Sequence, residues 1–134
     1  MFIVRMELLN VHLNNTGNGN VMRRATLALG WVAIVMGIVH IFFVLPITDF
    51  RLGQLWFIGS GIAIVFAGFI NILGQDNQNN KTSIVMVILS NFTMCFLFIS
   101  ATFVLREPQV YVGIGLFAAL SVLTVLSKRT NVSK

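Results

Sequence analysis

Residues 25–48 read ATLALGWVAIVMGIVHIFFVLPIT and contain no Asp, Glu, Lys or Arg. A helix needs about 20 mainly apolar residues to cross the roughly 30 Å hydrocarbon core of a bilayer, and this stretch exceeds that length. Three further stretches lack charge over a similar length, at residues 52–75, 82–105 and 108–127. Four such runs, with the charged residues between them, predict four membrane spans.

The composition agrees with this prediction, because 57% of the 134 residues are hydrophobic and only 10% are charged. Hydrocarbon cannot satisfy backbone N–H and C=O groups, so only helices or a closed barrel can span a membrane. Barrel strands alternate polar and apolar residues over segments of about ten residues, whereas residues 31–36, WVAIVM, do not alternate. The predicted fold is all-α: a polytopic membrane protein with four transmembrane helices in an up-down bundle.

The chain divides into a leader, a membrane domain and a short tail. We expect residues 1–24 to form a flexible N-terminal leader around the Asn-rich and Gly-rich residues 14–20, with Met6 and Met22 as alternative start sites to Met1. The basic C-terminal tail covers residues 128–134. The four-helix transmembrane domain covers residues 25–127, with spans at about 25–47, 53–74, 82–105 and 109–127.

The distribution of Lys and Arg predicts the orientation, since cytoplasmic loops carry an excess of these residues. Two basic residues, Arg51 and Arg106, lie on the side away from the termini. Both termini are therefore predicted to be cytoplasmic, in a multi-pass protein of the cell membrane. The side with the termini carries seven basic residues: Arg5, Arg23, Arg24, Lys81, Lys128, Arg129 and Lys134.

Outside the predicted spans, N-x-Ser/Thr triplets begin at Asn14, Asn80 and Asn131, all on the side that the charge count assigns to the cytoplasm. Glycans at these positions would place that side in a lumen. Asn-rich loops generate such triplets by chance, so the charge count decides the predicted orientation.

Helices in lipid associate through small residues and interhelical hydrogen bonds, because the hydrophobic effect between them is nearly absent. Residues at steps of three and four lie on one side of a helix. The sequence predicts one packing stripe per helix: Thr26, Gly30, Ala33, Gly37, His40 and Val44; Gly53, Trp56, Ser60, Ala63, Ala67, Asn71 and Gly74; Ile84, Ile88, Asn91, Cys95, Phe98 and Thr102; Tyr111, Gly115, Ala118 and Val122.

The candidate intramembrane polar site consists of His40, Ser60, Asn71 and Asn91. Ionisable residues within spans are functional candidates, so His40 could relay protons, contact a ligand or bind a metal or haem. The alternative is a neutral histidine that bonds across helices to Ser60 or to a backbone carbonyl, with Gly61 leaving room for its ring. An Asn within a span either joins helices or binds a substrate.

Enzyme signatures are missing from the sequence, including a Ser/His/Asp set, a Gly-rich phosphate loop and H-E-x-x-H. The length and span number resemble the small multidrug-resistance exporters, but here every carboxylate lies in a loop or the leader. Residues 40–42 (HIF), 55–57 (LWF), Gly61 and 68–73 (GFINIL) look like those of small bacterial four-span membrane proteins. This second resemblance covers the first two helices and implies no activity.

These patterns favour a non-enzymatic membrane interaction or accessory protein, with no cofactor and no metal. Its expected partners are the lipid bilayer and either other membrane proteins or a second copy of the chain. Nucleic acid is not expected, because no basic patch is interleaved with exposed aromatic residues. The alternatives are a small-molecule or ion permease that acts as a dimer, and a membrane redox or cofactor-binding protein that uses His40.

Overall fold

The computed structural model describes residues 2–45, 52–77 and 80–132, and all regular elements in these ranges are helices. The helices are α1 (Phe2–Phe42), α2 (Leu52–Asp76), α3 (Lys81–Ala101) and α4 (Pro108–Val132). Each contains a segment long and apolar enough to cross a membrane: Gly19–Phe42, Leu52–Asp76, Lys81–Ala101 and Pro108–Ser127. The predicted all-α fold with four spans is confirmed, and the chain has the form of a multi-pass membrane protein.

The two ends of the chain differ from their predictions. Where the sequence predicts a flexible leader at residues 1–24, α1 begins at Phe2 and continues without a break through residues 14–20. At the other end α4 extends to Val132, into the predicted tail. The segment Phe2–Phe42 contains no proline, and extending an existing helix needs no new nucleus. Each Gly or Asn costs only about 0.5–1 kcal/mol relative to Ala in a helix.

Local interactions set the ends of the third and fourth helices. Asn80 caps α3, since its side-chain oxygen accepts a hydrogen bond from the Thr82 N–H at 2.9 Å. The cap gives Asn80, the first residue of the N-x-Thr triplet at 80–82, a structural role that does not involve a glycan. The α3 helix ends at Ala101 rather than 105, and α4 begins with Pro108, a residue favoured in the first turn of a helix.

The helices form a ring in which α1 contacts α2 and α4, and α3 contacts the same two neighbours. This is the predicted up-down bundle. Phe117 and Leu120 of α4 are fully buried, and Phe98 of α3 stacks on Phe117 with ring centroids 5.9 Å apart. The core brings together residues from all four helices: Ala33, Ile64, Ala67, Met94, Leu116, Phe117 and Leu120.

The backbones of α1 and α2 approach each other at two antiparallel pairs of glycines. A Cβ added to Gly37 would lie 2.7 Å from the carbonyl oxygen of Gly61, and one added to Gly68 would lie 2.8 Å from that of Gly30. Only residues without a side chain allow two backbones to approach so closely. The predicted packing through Gly30 and Gly37 is confirmed. Their partners on α2, Gly61 and Gly68, lie outside the stripe predicted for that helix, whose first three residues, Gly53, Trp56 and Ser60, are exposed.

The stripe predicted for α4 is wrong. Tyr111, Gly115, Ala118 and Val122 are exposed, and the opposite face of the helix packs in the bundle. That face repeats at steps of three and four: Val110, Gly113, Phe117, Leu120, Thr124 and Ser127. Large side chains fill the core here, where the prediction had assumed that small residues mark the packed face.

Candidate functional site: a buried polar layer

Two amide side chains meet inside the bundle and bond to each other in both directions. Asn71 of α2 donates from Nδ2 to Oδ1 of Asn91 on α3 at 2.6 Å, and Asn91 returns a hydrogen bond to Asn71 Oδ1 at 2.9 Å. Asn71 also donates to the Ala67 carbonyl of its own helix at 2.8 Å. Both side chains are fully buried. Of the four predicted site residues, these are the two that the structure brings together.

The first and fourth helices each place a buried threonine near this depth. Gly30 of α1 contacts Gly68 of α2. Thr26 precedes Gly30 by four residues and Asn71 follows Gly68 by three, so both lie about 5 Å along their helices from the contact between the two glycines. Similarly, Phe117 of α4 stacks on Phe98 of α3. Thr124 is seven residues from Phe117 and Asn91 is seven residues from Phe98, so both lie about 10 Å along their helices from the stacked rings. We call Thr26, Asn71, Asn91 and Thr124 the polar layer, to which each helix contributes one residue.

The threonines of the polar layer are satisfied within their own helices. Thr26 donates to the Met22 carbonyl at 3.0 Å and Thr124 to the Leu120 carbonyl at 2.8 Å. Each hydroxyl oxygen still has lone pairs that can accept a hydrogen bond. Within the described parts of the chain, no buried side-chain N or O lacks a hydrogen-bond partner. The layer is thus electrically neutral and forms hydrogen bonds through amides and hydroxyls.

Buried polar residues are concentrated on the side of the bundle that holds the chain termini. Gln75 and Ser127 are buried about one turn beyond the polar layer in that direction. Near the ends of the first two spans on this side, Arg23 and Asp76 form an ion pair at 3.0 Å, with both side chains exposed. Toward the other side the buried residues are apolar, among them Ile64 and Phe117. The bundle is therefore polar inside at one end and apolar at the other.

His40 and Ser60, the other two predicted site residues, do not form the expected hydrogen bond. The half-buried His40 stacks on Phe57, with ring centroids 4.6 Å apart and planes 11° from parallel. Ser60 is exposed and donates to the Phe57 carbonyl of its own helix at 2.8 Å. The space beside Gly61 is occupied by Ile41, whose Cγ1 would lie 2.6 Å from an added Cβ. Because Ile41 takes that space, the histidine ring packs on an aromatic neighbour instead.

Potential metal ligands are sparse in the described residues, where no three His, Cys, Asp or Glu side chains come together. Cys95 is free and partly buried beside the core.

Comparison of the chain with protein-family models, with curated proteins and with solved structures finds no match. The two resemblances drawn from the sequence therefore stay predictions.

Proposed function

We propose that the chain is a non-enzymatic membrane protein that interacts with other membrane proteins through its outward helix faces. The observation that supports this is the filling of the bundle centre. Phe117, Leu120 and Ile64 are at most 2% exposed, and the Asn71–Asn91 pair closes on itself. The polar groups most suited to binding a substrate are thus bonded to each other, and the working surface is the outside of the bundle.

We further propose that both termini lie in the cytoplasm and that the membrane is the cell membrane. The ion pair between Arg23 and Asp76 and the exposed Arg24 and Lys81 lie near the ends of the spans on the terminal side. Positive charge at these ends favours the cytoplasmic face, where it also meets anionic lipid headgroups.

Site-specific photo-crosslinking in native membranes tests the proposed interaction role. A benzophenone side chain replaces Trp31, which is 57% exposed, and in parallel replaces the fully buried Phe117 as a matched control. We expect the probe at Trp31, or at Phe66, Phe92 or Val122 on the other helices, to give one discrete adduct with another membrane protein, and the probe at Phe117 to give none. Lipid adducts alone at every exposed position would contradict the proposal.

A dimeric permease remains the second candidate, favoured by the outward face of α4. Gly115 and Ala118 are exposed there, and no described heavy atom lies within 4 Å of a Cβ added to Gly115. Small residues on an outer face allow a second helix to approach closely. Crosslinking that gives only a species of twice the chain's mass, chiefly from the probe at Val122, would favour this function over the first.

A further inference from the structure

The α3 helix is the least buried of the four spans. Over an apolar stretch of 18 residues in each span, 17% of α3 is buried, against 28% of α1, 33% of α2 and 39% of α4. The buried residues of α3 are Val87, Asn91 and Met94, whose spacing of four and three places them on one side of the helix, toward the bundle. The opposite side of α3 faces outward from the ring.

This outward side carries two hydroxyls on an otherwise apolar surface. Thr93 and Ser100 are both exposed and lie seven residues apart, so they share one side of the helix at levels about 10 Å apart. We call the surface around them the hydroxyl face. Its residues follow one another at steps of three and four, and all of them are exposed: Met86, Leu89, Thr93, Phe96 and Ser100.

Neither hydroxyl of this face is bonded to its own helix. Five other serine and threonine side chains of the described chain donate to a carbonyl three or four residues earlier: Thr26, Ser60, Thr102, Ser121 and Thr124. Within the described residues, the side chains of Thr93 and Ser100 have no such hydrogen bond. Hydrocarbon supplies neither donors nor acceptors, so a partner for these hydroxyls has to come from another helix in the membrane.

We propose that two copies of the chain pair through the hydroxyl face, so that Thr93 and Ser100 each meet their equivalent in the second copy. Copies in one membrane share an orientation, because the same charge distribution orients each of them. Their α3 helices therefore run parallel across a twofold axis. In a parallel pair, residues that repeat every seven positions face their own equivalents.

A second copy matches the chemistry of this face at both levels. A hydroxyl is a donor and an acceptor at once, so Thr93 and Ser100 can each bond to an identical residue. Leu89 and Phe96, 58% and 64% exposed, form the apolar layers next to the hydroxyls, in the other repeating position of a paired helix. The second copy thus supplies hydroxyls and apolar side chains at the same levels as the first.

The inference rests on the proposed function, because it assigns one outward face to one partner. A pair joined through α3 leaves the outward faces of α1, α2 and α4 to other membrane proteins. Adducts of the probe at Trp31 or Phe66 with another protein therefore test the interaction role, and the contact between copies is tested separately.

Disulfide crosslinking in native membranes tests the pairing. In a Cys95→Ala background, Thr93→Cys lies on the hydroxyl face, and Phe92→Cys is a matched control at the next residue, where the native side chain is 70% exposed. A disulfide requires two Cα atoms within about 7 Å. We expect an oxidant to convert Thr93→Cys to a covalent dimer at least about fivefold faster than Phe92→Cys, because only position 93 meets its equivalent.

Three outcomes of this experiment would overturn the proposal. Equal rates at positions 92 and 93 would indicate random collisions, and no dimer from Thr93→Cys would show that the two faces do not meet. Faster crosslinking of Ala118→Cys, which lies on the outward face of α4, would place the contact between copies on that helix instead.

Removing the hydroxyls gives a second, independent measurement. Energy transfer between labelled copies in detergent reports the dissociation constant of the dimer. We expect Thr93→Val with Ser100→Ala to raise it about five- to tenfold, since interhelical hydrogen bonds contribute modestly in membranes. Ser60→Ala removes an exposed hydroxyl that is bonded to its own helix and should leave the constant unchanged. An unchanged constant for the double variant, or an equal rise for Ser60→Ala, would overturn the proposal.

Discussion

Single glycines decide how closely the helices approach, and two neighbouring glycines of α2 make this testable. A Cβ at Gly61 would lie 2.9 Å from the Gly37 carbonyl oxygen, whereas a Cβ at Gly59 would meet no described atom within 4 Å. We expect Gly61→Ala to lower the free energy of unfolding by about 1–3 kcal/mol, because the backbones must separate. Gly59→Ala should leave it unchanged or raise it by up to about 1 kcal/mol.

The measurement is unfolding of purified protein in mixed micelles with increasing dodecyl sulfate, followed by circular dichroism. Equal stability of Gly61→Ala and Gly59→Ala would contradict the close α1–α2 contact.

His40 offers a second test at this scale, because its neighbour is an aromatic ring rather than the predicted serine. We expect His40→Phe to keep the stack on Phe57 and with it most of the stability. His40→Gln can still form hydrogen bonds but loses the stack, which is worth about 0.5–1.5 kcal/mol. The same unfolding assay measures both variants, and a stable glutamine variant beside a destabilised phenylalanine variant would point to a hydrogen-bonding role instead.

At the scale of the helix, α4 shows which face of an apolar segment the bundle buries. Leu120 is fully buried and Val122 is 56% exposed, two residues apart on the same helix. We expect Leu120→Ala to cost about 2 kcal/mol or more through the cavity it leaves. Val122→Ala should change the stability by no more than about 0.5 kcal/mol. Thermal unfolding in detergent compares the two, and a larger loss for Val122→Ala would restore the stripe predicted from the sequence.

The sequence predicts the spans well and the packed faces unevenly, for a physical reason. Charge is excluded from hydrocarbon, so uncharged length marks each helix, and the span predicted at 53–74 lies within Leu52–Asp76. Along α4, however, residues without charge recur at steps of three and four on both faces, and either face is apolar enough to contact lipid. Small residues mark the packed face in α1, whereas in α4 small residues occur on both faces: Gly113 is buried, and Gly115 and Ala118 are exposed.

The polar layer was half predictable. Asn71 and Asn91 can be predicted as site residues because they are amides within apolar runs, and an unpaired amide in hydrocarbon costs free energy. Thr26 and Thr124 give no such signal, because a hydroxyl can bond to its own helix at any depth, as both do here. Thr26 and Thr124 lie at the same depth in the bundle because of the way the helices align with one another. The residues next to each threonine in the sequence do not indicate this alignment.

For the whole molecule, the proposed topology has four spans with both termini on the cytoplasmic side. Two fusions after Lys134 test this topology in the cell: a fluorescent protein that folds only in the cytoplasm, and a phosphatase that is active only after export. Seven basic residues on the terminal side against two on the other predict a fluorescent first fusion and an inactive second one. A dark first fusion with an active phosphatase would contradict this topology, because an odd number of spans or the reverse orientation would follow.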